Sequence, residues 1–355
     1  MYLNQAFAAD RRDFETETAT VERSLQRLYE GDSLSADQSE RLFTALVRGR
    51  LSEPTIAAML IALRLNGETA EVLIGAARAL RCADADFPRP DYLFADTCGT
   101  GGDGSGSINV STAVAFVAAA AGLPIVKHGN RSFSSRCGSA DVLERLGARL
   151  DVDAEQSRKV LDETGICFLF APAYHPGLAH AGPVRRALKV RTIMNVLGPC
   201  LNPAEPPVQL LGVARPELLR PVAATLAALG VETALVVHGS GLDEVALHGP
   251  TEAIRLSQGR IESVTLTPEQ AGFATAPLAG VEGGDADENA ARLAALLRGD
   301  GGEAERRIVA LNAGALLMTA GLAGDFREGV EMAQGVISSG DGHRLLEQFV
   351  AATHG

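Results

Sequence analysis

Apolar residues recur at spacings of three and four along Val21–Tyr29, Ser35–Arg48, Glu53–Asn66 and Ala70–Arg81. That 3.6-residue period predicts four amphipathic helices, each burying one stripe. Gly31–Asp32, Gly49 and Gly67–Glu68 punctuate them, and Ser35 and Ser52 stand where a hydroxyl can accept from the unpaired amides of a first helical turn. The run predicts a small helical domain. Ahead of it, residues 1–20 are polar and read as a loosely attached arm.

At Leu93 the pattern changes. Short apolar runs (Leu93–Asp96, Pro124–Lys127, Cys167–Phe170, Gln209–Val213, Ala234–His238 and Arg260–Val264) are followed by glycine-rich turns and helical stretches. Strands alternating with helices predict a mostly parallel central sheet covered on both faces. The fold class is therefore α/β, with a small N-terminal helical domain ahead of a larger α/β domain. Gly280–Asp287, rich in Gly and acidic residues without periodicity, is expected to be a surface loop before a helix over Glu288–Leu297.

Composition narrows the class further. A chain of 355 residues, 46% hydrophobic and 21% charged, can bury a sizeable core in two domains. Its longest apolar runs, such as Ala113–Val126, are broken by Gly and Pro and fall short of the roughly 20 residues that a membrane span needs. The charged stretch Met1–Glu22 lacks the features of a secretory signal, and five scattered cysteines (Cys82, Cys98, Cys137, Cys167, Cys200) show no CxxC spacing. These features predict a cytoplasmic protein with reduced thiols and no membrane partner. A net charge of −12 argues against nucleic acid as a partner, because such binding relies on neutralising phosphates. Between Lys127 and Arg191, however, 11 Lys and Arg face 7 Asp and Glu, a local +4 suited to a small anionic substrate.

Four segments carry candidate chemistry. From Asp96 to Thr112, five glycines in the eight positions Gly99–Gly106 let the backbone turn sharply and aim amides at an anion, and Ser111 and Thr112 open a helix whose positive end favours phosphate. A flexible strand-to-helix turn is the alternative. Lys127 to Ser132, after a strand, offers Lys127, Asn130 and Arg131 as donors for phosphate and ribose oxygens at the edge where open sheets bind ligands. A solvated basic loop would look the same, and Ser139 beyond it could equally be only the cap of a helix over Val142–Leu146. In the third segment Tyr174 and His175 form an amphipathic wall, and Arg185 can hold a carboxylate through two parallel bonds, although a lone helical Arg is usually a packing residue. In the fourth, Asp243 and Glu244 follow an apolar strand as hard oxygen ligands suited to Mg²⁺, or simply as an exposed acidic turn.

All four segments, in this order, resemble those of anthranilate phosphoribosyltransferases, and the similarity runs from about Val21 to His354. The resemblance implies transfer of the phosphoribosyl group of 5-phosphoribosyl 1-pyrophosphate to the amine of anthranilate, and a homodimer formed through the helical domain. It divides the chain into an arm (1–20), a helical domain (21–90) joined by helices from about 174–200, and an α/β phosphoribosyl pyrophosphate-binding domain (91–355). Carried over by position, Gly99, Gly102, Asp103, Ser107, Asn109, Ser111, Thr112, Lys127, Asn130, Arg131 and Ser139 would bind phosphoribosyl pyrophosphate. Gly99, His128, Asn130, Tyr174, His175, Arg185 and Gly198 would seat anthranilate, with Arg185 facing its carboxylate. Ser111, Asp243 and Glu244 would hold Mg²⁺, with two ions implied. No residue is implied as a nucleophile; Lys127, Asn130 and Arg185 would position the transition state. Departures are Ser107 for Thr, Cys137 for Ser, Met194 for Phe and Lys189 for Gly.

Two alternatives make different demands. A pyrimidine-nucleoside phosphorylase would need a phosphate site but no acid pair at positions 243 and 244. A non-catalytic nucleic-acid-binding relative would need a basic surface and could lose the metal ligands.

Overall fold

The computed structural model describes residues 18–132 and 136–355. Residues 1–17 of the expected arm, and Ser134 and Ser135 of the second segment, lie outside them. The chain separates into a unit of residues up to Asp84 together with His175–Leu197, and a larger unit of Ala85–Tyr174 with Gly198–Gly355.

The smaller unit is helical: residues 18–29, Ala36–Val47, Glu53–Asn66 and Ala70–Arg81, joined by the short helices Gly182–Leu188 and Ile193–Leu197. Ser35 caps the second helix reciprocally: its hydroxyl accepts from the Gln38 amide, and the Gln38 side chain accepts from the Ser35 amide. Ser52 and Thr69 cap the next two. The apolar stripes close on Leu28, Leu42, Phe43, Leu46, Met59, Leu60 and Leu73, all buried. Inside this core the Ser39 hydroxyl donates to Val72 O at 2.7 Å, satisfying a polar atom that burial would otherwise penalise.

In the larger unit, seven strands form one sheet: β1 (Ala95–Gly99), β2 (Ile125–Gly129), β3 (Ile166–Phe170), β4 (Val208–Gly212), β5 (Thr233–Gly239), β6 (Thr251–Ser257) and β7 (Arg260–Leu266), in the order β3-β2-β1-β4-β5-β6-β7. β1 to β5 run parallel, and β6 and β7 add an antiparallel hairpin. Gln258 and Gly259, both at positive φ, make its two-residue turn, the backbone twist that tight hairpins favour. The buried helix Val110–Ala120 packs on β1 and β2 and is covered by Glu303–Thr319, Phe326–Ser339 and Asp341–Ala352.

Three expectations change. The first strand is displaced: Leu93 is 45% exposed, and β1 runs from Ala95 to Gly99 because its last residues pair with β4. The helix after the second segment starts at Ser139, with Gly138 as its N-cap, so Ser139 is a first-turn residue and not the cap. The stretch from Gly280 is no simple surface loop. Val281 is buried, its carbonyl accepts the Ile108 amide at 2.9 Å, and the Gly283 amide donates to Gly106 O at 2.6 Å.

Candidate active site

In strand order, the chain's direction of travel through the sheet reverses between β1 and β4, the position at which open α/β sheets bind ligands beyond their carboxyl ends. At these ends Gly99 closes β1, Gly212 closes β4, and the turn after β5 brings Asp243 across both. An added Cβ at Gly99 would collide with Asp243 Oδ2, and one at Gly212 with the Asp243 carbonyl oxygen. Only glycine lets the acidic turn settle there. The Asp243 carboxylate then accepts the Gly101 amide at 2.6 Å, joining the fourth segment to the first.

This packing has an electrostatic cost. Burial, with the nearby Asp103 charge adding to it, pushes the Asp243 carboxyl up to about 7. Burial, and then the charges of Asp243 and Asp103, push Glu244 well above the usual carboxylate range, while Lys127 pulls it back. Three acids thus gather with too little positive charge beside them. Among the described residues, no three His, Cys, Asp or Glu side chains form a metal cage of their own. Carboxylate oxygens such as those of Asp243 and Glu244 are hard donors of the kind Mg²⁺ typically takes, one or two at a time, with water and substrate phosphates completing its shell.

Lys127, on β2, is buried; its ammonium donates to Thr97 O at 2.7 Å and to Ser111 Oγ at 3.2 Å, fixing a cation at the head of the helix Val110–Ala120. Neighbouring Thr112 has a buried hydroxyl oxygen with no hydrogen-bond partner. Within the glycine loop, Asp103 Oδ1 accepts from the Ser105 amide and hydroxyl at 3.0 and 2.9 Å, and Ser107 forms a bridge with Glu282. Gly102 takes φ 75°.

Other expected ligands are engaged within the protein. Asn109 donates to Cys137 O at 3.3 Å and accepts from Asn289 at 3.0 Å. Arg131 pairs with Glu144 and, at 3.7 Å, with Asp141. Asn130 accepts the Arg131 amide through its side chain at 2.7 Å, and its carbonyl accepts the Ser139 hydroxyl at 3.4 Å. His128, on β2, is buried, as is Tyr174, which meets Phe87 edge to face at 6.4 Å. Gly198 opens a short turn, and an added Cβ there meets nothing within 4 Å.

In the helical unit, His175 Nδ1 lies 2.5 Å from Asp84 Oδ1, both side chains nearly buried. Arg185 lies in the helix Gly182–Leu188, half-buried, and burial pulls its guanidinium below its ordinary value. Lys189 ends this helix at φ 52°, a left-handed position that favours the glycine it replaces, and nothing in the structure explains the lysine.

The glycosyl transferase family's helical bundle domain matches residues 23–83 and its a/b domain residues 91–343. The anthranilate phosphoribosyltransferase of Sorangium cellulosum is 56% identical over 327 residues, covering 92% of this chain and 94% of the relative. The chain belongs to the anthranilate phosphoribosyltransferase family. Among solved members, the Thermus thermophilus enzyme is 41% identical with a TM-score of 0.88, covering 94% of this chain and 99% of that one. The Saccharomyces cerevisiae enzyme in complex with PRPP and Mg is 27% identical with a TM-score of 0.86, covering 95% and 98%.

In each unit of this family member, some structural neighbours of the expected residues carry no role in the sequence pattern. Gly212 reads only as strand. Asp96 is fully buried and accepts from the His128 amide and Gln209 at 3.4 and 3.5 Å; burial raises its carboxyl while the Lys127 charge draws it down. Asp84 behind His175 carries no motif. A polar residue at a strand's interior, as with Gln209 in an otherwise apolar run, is the one signal that could have pointed to this layer.

Proposed function

We infer that the chain transfers the phosphoribosyl group of 5-phosphoribosyl 1-pyrophosphate to the amine of anthranilate, giving N-(5-phosphoribosyl)anthranilate and pyrophosphate, in L-tryptophan biosynthesis. The observation that carries this is the joining of Asp243 to the glycine-rich loop through Gly101, beside a fixed Lys127. Family membership supports the same activity.

In this reading the amides of the loop Gly99–Gly106, Ser111, Thr112 and Lys127 take the phosphates, and Asn109, Asn130, Arg131 and Ser139 complete the sugar-phosphate site. Asp243 and Glu244, with Ser111, hold Mg²⁺, two ions when substrate is bound. The magnesium supplies charge stabilisation for the departing pyrophosphate. Arg185 takes the anthranilate carboxylate, and Tyr174, His175, His128, Asn130 and Gly198 seat the ring. The aniline nitrogen is neutral and nucleophilic at pH 7, so positioning and electrostatics supply most of the rate, and no base need abstract a proton first. A phosphorylase would gain nothing from the repulsive acid cluster at Asp103, Asp243 and Glu244. Exposed Leu65 and Tyr29 on the helical unit support a homodimer through that unit, which sedimentation would test.

Phosphorus NMR tests the reaction: pyrophosphate should appear one-for-one with the anthranilate consumed. Release of pyrophosphate without loss of anthranilate would reject the acceptor.

A further inference from the structure

The glycine loop cannot stiffen itself. Gly101, Gly102, Gly104 and Gly106 all adopt positive φ, and the loop's own hydrogen bonds are short turns through Thr100, Asp103 and Ser105. Its far end is held from outside. The Gly283 amide donates to Gly106 O at 2.6 Å, Ser107 bridges Glu282, and the Ile108 amide donates to Val281 O at 2.9 Å. Residues 281–283 therefore pair with 106–108 like a scrap of strand, and an added Cβ at Gly283 would press on Ser107 O at 2.8 Å.

That scrap is also glycine-rich, and two side chains of the helix Ala286–Leu297 fix it. Arg292 donates to Gly280 O at 2.6 Å and to Glu282 O, while its Nε donates to Glu305 at 2.6 Å. Glu305 is 5% exposed and its other oxygen accepts the Gly302 amide at 2.7 Å, so it cannot swing away. Asn289 accepts the Gly284 amide at 2.8 Å and donates to Asn109 at 3.0 Å, reaching the residue that precedes the phosphate-facing helix. A planar guanidinium is the group that can grip two carbonyls and a carboxylate at once.

We propose that Arg292 and Asn289 are positioning residues for phosphoribosyl pyrophosphate: through residues 280–284 they hold the glycine loop in the shape that receives the pyrophosphate. This rests on the assignment of that loop to the phosphates. The physical gain is pre-organisation, since a loop already ordered loses less entropy on binding. The brace acts through the glycine loop and Asn109, so its effect falls on the affinity for phosphoribosyl pyrophosphate.

The test pairs kinetics with amide hydrogen exchange in the full chain. Arg292→Gln should raise KM for phosphoribosyl pyrophosphate about tenfold, comparable to ordering one further residue. KM for anthranilate should stay within about twofold. Arg292→Lys should recover part of the loss, and Arg298→Ala, at an exposed arginine just beyond the same helix, should show none of it. Amides of Ile108 and Gly283 should exchange faster in Arg292→Gln while those of β4 do not change. If Arg292→Gln fails to fold, Asn289→Ser carries the same two readouts. Unchanged exchange, or lowered melting temperature with both KM values intact, overturns the proposal. A wild-type chain that turns over no substrate would sink the functional assignment instead, and exchange would still decide the brace.

Discussion

Asp243 accepts the main-chain amide of Gly101 at 2.6 Å, across 142 residues of sequence, and this one bond ties the acidic turn after β5 to the glycine-rich loop after β1. The acid is held where its own charge is disfavoured, the pattern of a site arranged for a ligand and not for stability.

Replacing that acid should separate the two. In Asp243→Asn the side-chain oxygen still accepts from Gly101, but the buried charge is gone. We expect the metal-free protein at pH 8 to gain about 1 kcal/mol. Turnover should fall at least about 100-fold. Urea unfolding in chelator and initial rates in Mg²⁺ check the two halves.

The same acids predict a pH dependence. Asp243 titrates near 7 in the folded chain and at an ordinary carboxylate value when unfolded. A raised folded value means the folded state holds its proton longer, so the contribution is neutral in acid and becomes destabilising as pH rises towards the folded value. Chelator-treated protein should therefore lose stability between about pH 4 and about pH 7, and Mg²⁺ should restore it at the upper end. Stability that rises over this range in chelator would contradict the electrostatics.

Close approach at Gly212 gives a third expectation. A methyl group there runs into the Asp243 backbone and cannot be relieved by a side-chain rotation. Gly212→Ala should cost about 2–3 kcal/mol and most activity, whereas Gly198→Ala, facing open space, should keep wild-type stability. Thermal unfolding of the pair distinguishes them.

Lys189 offers the opposite case. Its φ of 52° is strained for a side chain bearing Cβ. Lys189→Gly should stabilise by about 0.5–1 kcal/mol without altering either KM, measured by urea unfolding and initial rates.

Much of this was legible in the pattern of residues. Glu53–Asn66 and Ala70–Arg81 were readable to the residue, the first because the Ser52 hydroxyl marks its start and the second because its apolar residues fall on one face. β6 escaped because Thr251–Ser257 alternates Glu252, Arg255 and Ser257 with apolar residues, and only pairing with β5 decides its state. The glycine loop and the acid pair were visible as motifs, but not their contact, which depends on Gly99 and Gly212 lacking side chains. Residues 280–284 looked like a surface loop because their partners, Gly106 and Ile108, lie far away in sequence. Local periodicity reports burial along an element; it says nothing of which distant backbone atoms an irregular segment will meet.

The most direct measurement is the loss of anthranilate fluorescence when the purified chain is mixed with phosphoribosyl pyrophosphate, first with Mg²⁺ and then with chelator, beside Arg185→Ala. The account predicts consumption that stops in chelator, and a variant whose KM for anthranilate rises about 100-fold while that for phosphoribosyl pyrophosphate holds. A folded, magnesium-replete chain that leaves anthranilate untouched would contradict it.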